Sequence, residues 1–187
     1  MANAAKHKQN LVRSAVRLFR RQGYSATGVQ QILDLSGAPK GSLYHYFPGG
    51  KEAIGEAAVE LAGRLVAETL EDLAARHRTP ATFVAAYCKQ YADWMEESDF
   101  QSGCPIATTL LETAPLSASI TSAGAAAVDS WVEIIAAVFA RSGADARVAK
   151  QRAELTVAAL EGALILSRIR GSKTPILNVG RTLSRLV

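Results

Sequence analysis

Cysteine is nearly absent: Cys88 and Cys104 are the two thiols in 187 residues. That is too few for a disulfide framework or a cysteine-built zinc site, so a reducing, cytoplasmic setting is expected. Strand signals are equally scarce. Alternating β-branched runs are few, and Ala, Leu, Glu and Arg are abundant, which points to an all-α chain. No apolar run reads as long enough to span a bilayer, so no membrane is expected. The opening Met-Ala-Asn-Ala-Ala-Lys-His-Lys has no apolar segment behind its basic residues, so no secretory signal is expected either. No His or carboxylate cluster has metal-ligand spacing, and no nucleophile has a recognisable base partner. No metal, no cofactor and no enzymatic activity are therefore expected.

What is present is charge of one sign in one place. Residues 1–55 hold eight Lys and Arg (Lys6, Lys8, Arg13, Arg17, Arg20, Arg21, Lys40, Lys51) against Asp34 and Glu52, a balance of +6. The remainder holds 13 basic and 15 acidic residues, a balance of −2, within a total of +4. Such asymmetry suits a nucleic-acid-binding head on a body that does not bind nucleic acid.

The most informative run is Thr27 to Lys51. Thr27 can cap a short helix in which Val29, Ile32 and Leu33 form one apolar stripe. Gly37 suits the left-handed residue that ends it, and Pro39 suits the first turn of the next helix. Leu43 and Phe47 give that helix an inner side, leaving Lys40, Gly41, Ser42, Tyr44 and His45 for the outside. A helix held by so few apolar anchors and showing hydroxyls, a lysine and a histidine suits a DNA groove. Taken alone, the same residues also describe an ordinary exposed helix face.

Periodicity and breakers extend the helical reading along the whole chain. A first helix covers roughly Asn3 to Gln22, with Leu11, Ala15, Leu18 and Phe19 as its stripe. A long fourth helix runs from about Gly50 to Arg76 on Ile54, Ala58, Leu61, Leu65 and Leu73. Thr79-Pro80 and Thr174-Pro175 read as cap-plus-proline starts. Breaks at Ser102–Pro105, Pro115, Gly143 and Gly171 separate the rest, giving nine helices in total. The expected division is a head over 1–50 and a body over 51–187.

The pattern of Gly23-Tyr24, Thr27-x-Val29-x-x-Ile32, Ser36-Gly37, Lys40-Gly41-Ser42-Leu43-Tyr44-His45-Tyr46-Phe47 and Lys51-Glu52 resembles the TetR family of bacterial transcriptional repressors. The likeness covers about the first 55 residues. Leu33 and Ser36 depart from the alanine usual there, Tyr46 from a common histidine, and the Pro48-Gly49-Gly50 linker is one residue longer. That linker and Gly103-Cys104-Pro105-Ile106 also resemble the lincomycin- or flavonoid-responsive subgroup. The resemblance implies a homodimer with a three-helix DNA-binding head and a helical body that takes a small-molecule inducer.

On these grounds the DNA-contacting residues are expected to be Thr27, Lys40, Gly41, Ser42, Tyr44, His45 and Lys51, facing a double-stranded palindromic operator. Thr27 and Lys51 open helices, where a phosphate fits the free N–H groups. Phe83, Tyr87, Tyr91 and Trp94, with Trp131 and Ile135, are expected to wall an aromatic cavity. Leu61, Leu65, Cys104, Thr108 and Leu111 join the same set. Plain core packing is the competing explanation for that aromatic stripe. The resemblance places the last two helices in an intersubunit bundle through Leu155, Ala159, Gly162, Ala163, Leu166, Ile169, Ile176, Leu177 and Leu183. Burial within one subunit competes there too. Two rival functions stay open at this point: a small helical enzyme or ligand carrier without DNA activity, and an activator using the same head.

Overall fold

A computed structural model describes residues 2–186, with side chains for 6–104 and 106–186. Among the described residues there are nine helices and no strand. They are α1 (Ala2–Gln22), α2 (Val29–Ser36), α3 (Lys40–Tyr46), α4 (Gly50–Arg76), α5 (Pro80–Glu97), α6 (Pro105–Thr113), α7 (Ala118–Ala140), α8 (Ala146–Arg170) and α9 (Thr174–Leu186). The fold class is all-α, as the composition implies.

Two compact units divide the chain. The first takes Met1–Arg64 and Cys104–Ala127; the second takes Leu65–Gly103 and Val128–Val187. Helices α4 and α7 therefore each give one end to each unit. In the first unit, α2, α3 and α6 all pack on α1. Its core gathers Leu11, Ala15, Phe19, Ile32, Leu33, Leu43, Phe47, Ile54 and Ala58, each nearly or wholly buried. A fully buried side chain of this size stabilises by roughly 1.5–3 kcal/mol, so the short α2 and α3 are held by packing more than by propensity. In the second unit α9 packs on α5 and α8. Phe83, Tyr87, Tyr91, Met95, Trp131, Ile135, Phe139, Leu160 and Ile176 are buried there.

Local chemistry corrects four expectations. Thr27 does not cap α2. Its side chain is fully buried and its hydroxyl donates 2.7 Å to the Gly23 carbonyl. Gly28 takes the N-cap position instead, and Gln31 reaches back to accept its N–H at 2.8 Å. Thr174 lies inside α9, and the hydroxyl of Ser172 accepts its N–H at 3.2 Å. Thr79 does cap α5, accepting the Thr82 N–H at 3.3 Å. On α4 the buried line is Ile54, Ala58, Ala62, Val66, Leu70 and Leu73, while Leu65 is 49% exposed. Leu65 sits one position from Val66, which turns it about 100° away from that line.

The fourth correction concerns apolar length. Helix α7 is long and apolar enough, by length and composition, to cross a membrane, contrary to the expectation of no such run. Its Trp131, Val132, Ile135, Val138 and Phe139 are buried among the described residues.

Candidate nucleic-acid interface

The turn between α2 and α3 is built by three local devices. Gly37 is left-handed (φ 64°) and its N–H closes on the Leu33 carbonyl at 3.0 Å. The Ser36 hydroxyl donates to that same carbonyl at 3.0 Å and accepts the Ala38 N–H at 3.1 Å. Ala38 is buried beyond it, and α3 starts at Lys40. The second helix is thereby aimed by glycine geometry and one hydroxyl.

Helix α3 turns Leu43 and Phe47 inward. Its outer side carries Lys40, Gly41, Tyr44 and His45, all exposed, with Ser42 half-buried; Tyr44 is 56% exposed. A Cβ on Gly41 would meet nothing within 4 Å, so the chain's own packing does not require glycine there. Lys6, Lys8, Arg13 and Arg17 are exposed on α1, and the Lys8 Nζ lies 5.8 Å from the Phe47 ring centroid.

Two expected DNA contacts sit differently. The buried hydroxyl of Thr27 is occupied by Gly23. Lys51 is half-buried, and its Nζ donates to the Ser25 carbonyl at 3.3 Å and lies 4.4 Å over the Tyr24 ring. Partial burial pulls the Lys51 ammonium below its ordinary pKa, against the raising influence of Glu112. Burial and the charge of Glu52 both push the Tyr24 phenol up.

Glu112 is the residue that sequence patterning missed. It comes from α6, 87 positions beyond Ser25, and accepts the Ser25 N–H at 2.5 Å. Nothing in the linear sequence signals a pairing of that separation.

The remaining expected site residues divide between the two units. In the second unit Phe83, Tyr87, Tyr91, Trp131 and Ile135 are buried and Trp94 is half-buried. The α5 rings stand in a ladder, with centroid separations of 6.1 Å (Phe83–Tyr87), 5.1 Å (Tyr87–Tyr91) and 5.1 Å (Tyr91–Trp94). Leu65 is about half exposed. In the first unit Cys104 is buried and Leu61 half-buried, and the Thr108 hydroxyl donates to the Cys104 carbonyl at 2.9 Å and approaches the Phe19 carbonyl at 3.3 Å. Leu111 is 80% exposed, which removes it from any cavity wall within the chain. The inner side of α6 is Ile106, Thr109 and Thr113, and Leu111 falls opposite it.

The expected interface residues also separate. Ala163, Ile176 and Leu183 are buried in the second unit's own core and have little surface left to offer a partner. Leu155, Gly162, Leu166 and Ile169 are exposed along one side of α8, together with Ile165; Ala159 and Leu177 are half-buried. A cleft of about 440 Å³ lies between α5 and α9, lined by Cys88, Gly180, Arg181 and Arg185 among others. A side chain on Gly180 would come within 2.8 Å of the Cys88 Cβ, so glycine permits the close approach of these helices.

Comparison with known proteins is consistent from end to end. Residues 11–61 match the model of bacterial regulatory proteins of the tetR family, and residues 80–182 match the LmrA/YxaF-like transcriptional regulator C-terminal domain. An uncharacterized HTH-type transcriptional regulator of Bacillus subtilis, YxaF, is 31% identical over 100% of this chain and 98% of its own. An uncharacterized HTH-type regulator of Mycobacterium tuberculosis, Rv0196, is 34% identical over 96% of this chain and 93% of its own. A TetR regulatory protein of Rhodobacter sphaeroides shares the fold with a TM-score of 0.85 at 24% identity, covering 95% of this chain and 96% of its own. These relatives are regulators and not enzymes, which removes the enzyme alternative. The chain belongs to the TetR family of DNA-binding transcriptional regulators, with a C-terminal region of the LmrA/YxaF-like kind.

Proposed function

We propose that this regulator is a cytoplasmic homodimeric repressor, released from a palindromic operator by a small, largely apolar or aromatic inducer. The observation that carries the DNA-reading part is the outer side of α3. Lys40, Gly41, Tyr44 and His45 are exposed on a helix whose inward anchors are Leu43 and Phe47, within the third of the chain that holds the positive charge. Lys40 and His45 supply donors for base edges or phosphates, and Tyr44 supplies a hydroxyl and an apolar ring. Gly41 lets the helix backbone approach the groove. Of the two helix-start residues, Lys51 brings charge, while Thr27 contributes only its backbone.

The exposed apolar side of α8 supports a second copy as the partner. A twofold axis would then present two heads to two half-sites. The ladder Phe83, Tyr87, Tyr91 and Trp94, with Trp131 and Ile135, supports an apolar or aromatic inducer. An inducer acts only by preferring one of two conformations, so it must bind the form that fits the operator less well.

The test begins with selection of a bound sequence from a randomised duplex pool. Tyr44→Ala is then compared with the wild type by fluorescence anisotropy on that duplex. Tyr44 is exposed, so the variant should keep its helicity and mass in solution while binding at least tenfold more weakly, the loss expected from one good contact. Equal affinity would remove α3 from the interface.

A further inference from the structure

Helix α1 ends at Gly23, which is left-handed (φ 86°) and closes its N–H on the Phe19 carbonyl at 2.9 Å. The chain then turns through Tyr24 and Ser25 toward α2. A carboxylate from α6 is seated on this turn. The Ser25 N–H donates to Glu112 at 2.5 Å, and the Ser25 hydroxyl and the Tyr24 N–H donate to it as well. Gly23 suits the left-handed φ of this turn, and a Cβ there would displace the Glu112 carboxylate from its seat. Lys51, at the start of α4, closes the other side through the Ser25 carbonyl and the Tyr24 ring. One turn earlier on α6, the Thr108 hydroxyl approaches the Phe19 carbonyl at 3.3 Å.

The carboxyl group behaves as a committed acceptor. Desolvation pushes its pKa up, yet the Ser25 and Tyr24 hydrogen bonds and the charge of Lys51 outweigh this and hold it below the ordinary value. Charge-assisted bonds to backbone N–H groups are the stronger kind, and these fix backbone position directly.

We propose that Glu112 is a positioning residue for operator recognition: its carboxylate holds the α1–α2 turn, and with it the start of α2, in the place where the head meets DNA. This rests on the DNA-binding reading above. Glu112 touches no DNA in this scheme and acts through Ser25 and Tyr24. The turn ends at Thr27, whose N–H closes on the Tyr24 carbonyl at 3.1 Å. A shift at Tyr24 is therefore passed to Gly28 and the first turn of α2.

The experiment uses the full chain and the duplex that the wild type selects from a random pool. Glu112→Ala should weaken operator binding roughly tenfold, in keeping with loss of a charge-assisted hydrogen bond near the surface. Glu112→Gln keeps an acceptor oxygen for the Ser25 amide and should recover part of that loss. Helix content and molecular mass should not change. Amide exchange at Ser25 should quicken in Glu112→Ala, which a general loss of stability would not confine to one turn. Binding by Glu112→Ala within twofold of the wild type, or unchanged Ser25 exchange, would overturn the proposal. Failure of the wild type to select any duplex would overturn the underlying reading as a DNA-binding head.

Discussion

Cys88 sits on the inner side of α5 against Gly180, and burial pushes its thiol up to about 12. A thiol raised in this way favours folding only while both states keep the proton. Its stabilising share is complete below the unfolded value near 9, then falls as pH rises through the window to about 12. Within that window the loss approaches about 1.4 kcal/mol per pH unit. Denaturant unfolding of wild type and Cys88→Ala from pH 8 upward should show the difference: the wild type loses stability faster on the alkaline side. Parallel profiles would place this thiol in a wetter site. Thr27 shows how finely such local chemistry can turn. A threonine before a short helix is the ordinary mark of a cap. Here the hydroxyl instead satisfies the Gly23 carbonyl, which the α1 end leaves free, and the neighbouring Gly28 takes the cap position with help from Gln31. Residue preferences were legible; which of two adjacent positions used them depended on where the α1 end lay.

Helix α8 shows the same contrast at the next scale. Its apolar residues surround the whole helix, so periodicity could not separate an internal side from an external one. In the fold Ala153, Leu160, Ala163 and Leu164 turn inward, while Leu155, Ile165, Leu166 and Ile169 remain exposed. The exposed set lies along one side of the helix with Gly162, where a Cβ would meet nothing within 4 Å. In the proposed dimer this is the side that would face a second copy. Leu166→Glu places a charge on it twice in a symmetric pair, and an unpaired charge taken out of water is costly. Sedimentation should show dimer association weakened by roughly a hundredfold or more, with helix content kept. A wild-type mass of one chain, or an unaltered dimer in the variant, would remove α8 from the interface. Helix α4 taught a smaller lesson. Its extent was readable to within a residue, yet its inner line ran through Val66 and not Leu65, because a four-residue repeat drifts around the helix.

For the whole molecule, the controlling feature is the distribution of charge. The first 55 residues carry +6 and the rest −2, so the field that attracts a phosphate backbone is confined to the head. Operator affinity should fall linearly in log–log form as salt rises, since each neutralised phosphate releases counterions. Lys40→Ala removes one contact from each head of the proposed dimer and should lower the magnitude of that slope by about two. An unchanged slope alongside weaker binding would mean that Lys40 reads a base and leaves the phosphates to other residues. Anisotropy titrations at several salt concentrations decide between these outcomes.

Composition, breakers and helical periodicity were enough for an all-α chain, nine helices, and a short helix pair with its outward residues beside a basic first helix. These are local properties: caps, glycines and i, i+4 stripes act within a few residues of one another. The tertiary structure decided what depends on distant neighbours. It sent Leu111 and Leu65 to the surface, took Ala163, Ile176 and Leu183 into the core, and grouped α6 with the head. It also seated Glu112 on Ser25 across 87 positions. Burial and long-range hydrogen bonds belong to the packed arrangement of helices, and no linear pattern specifies which exposed carboxylate will meet which turn.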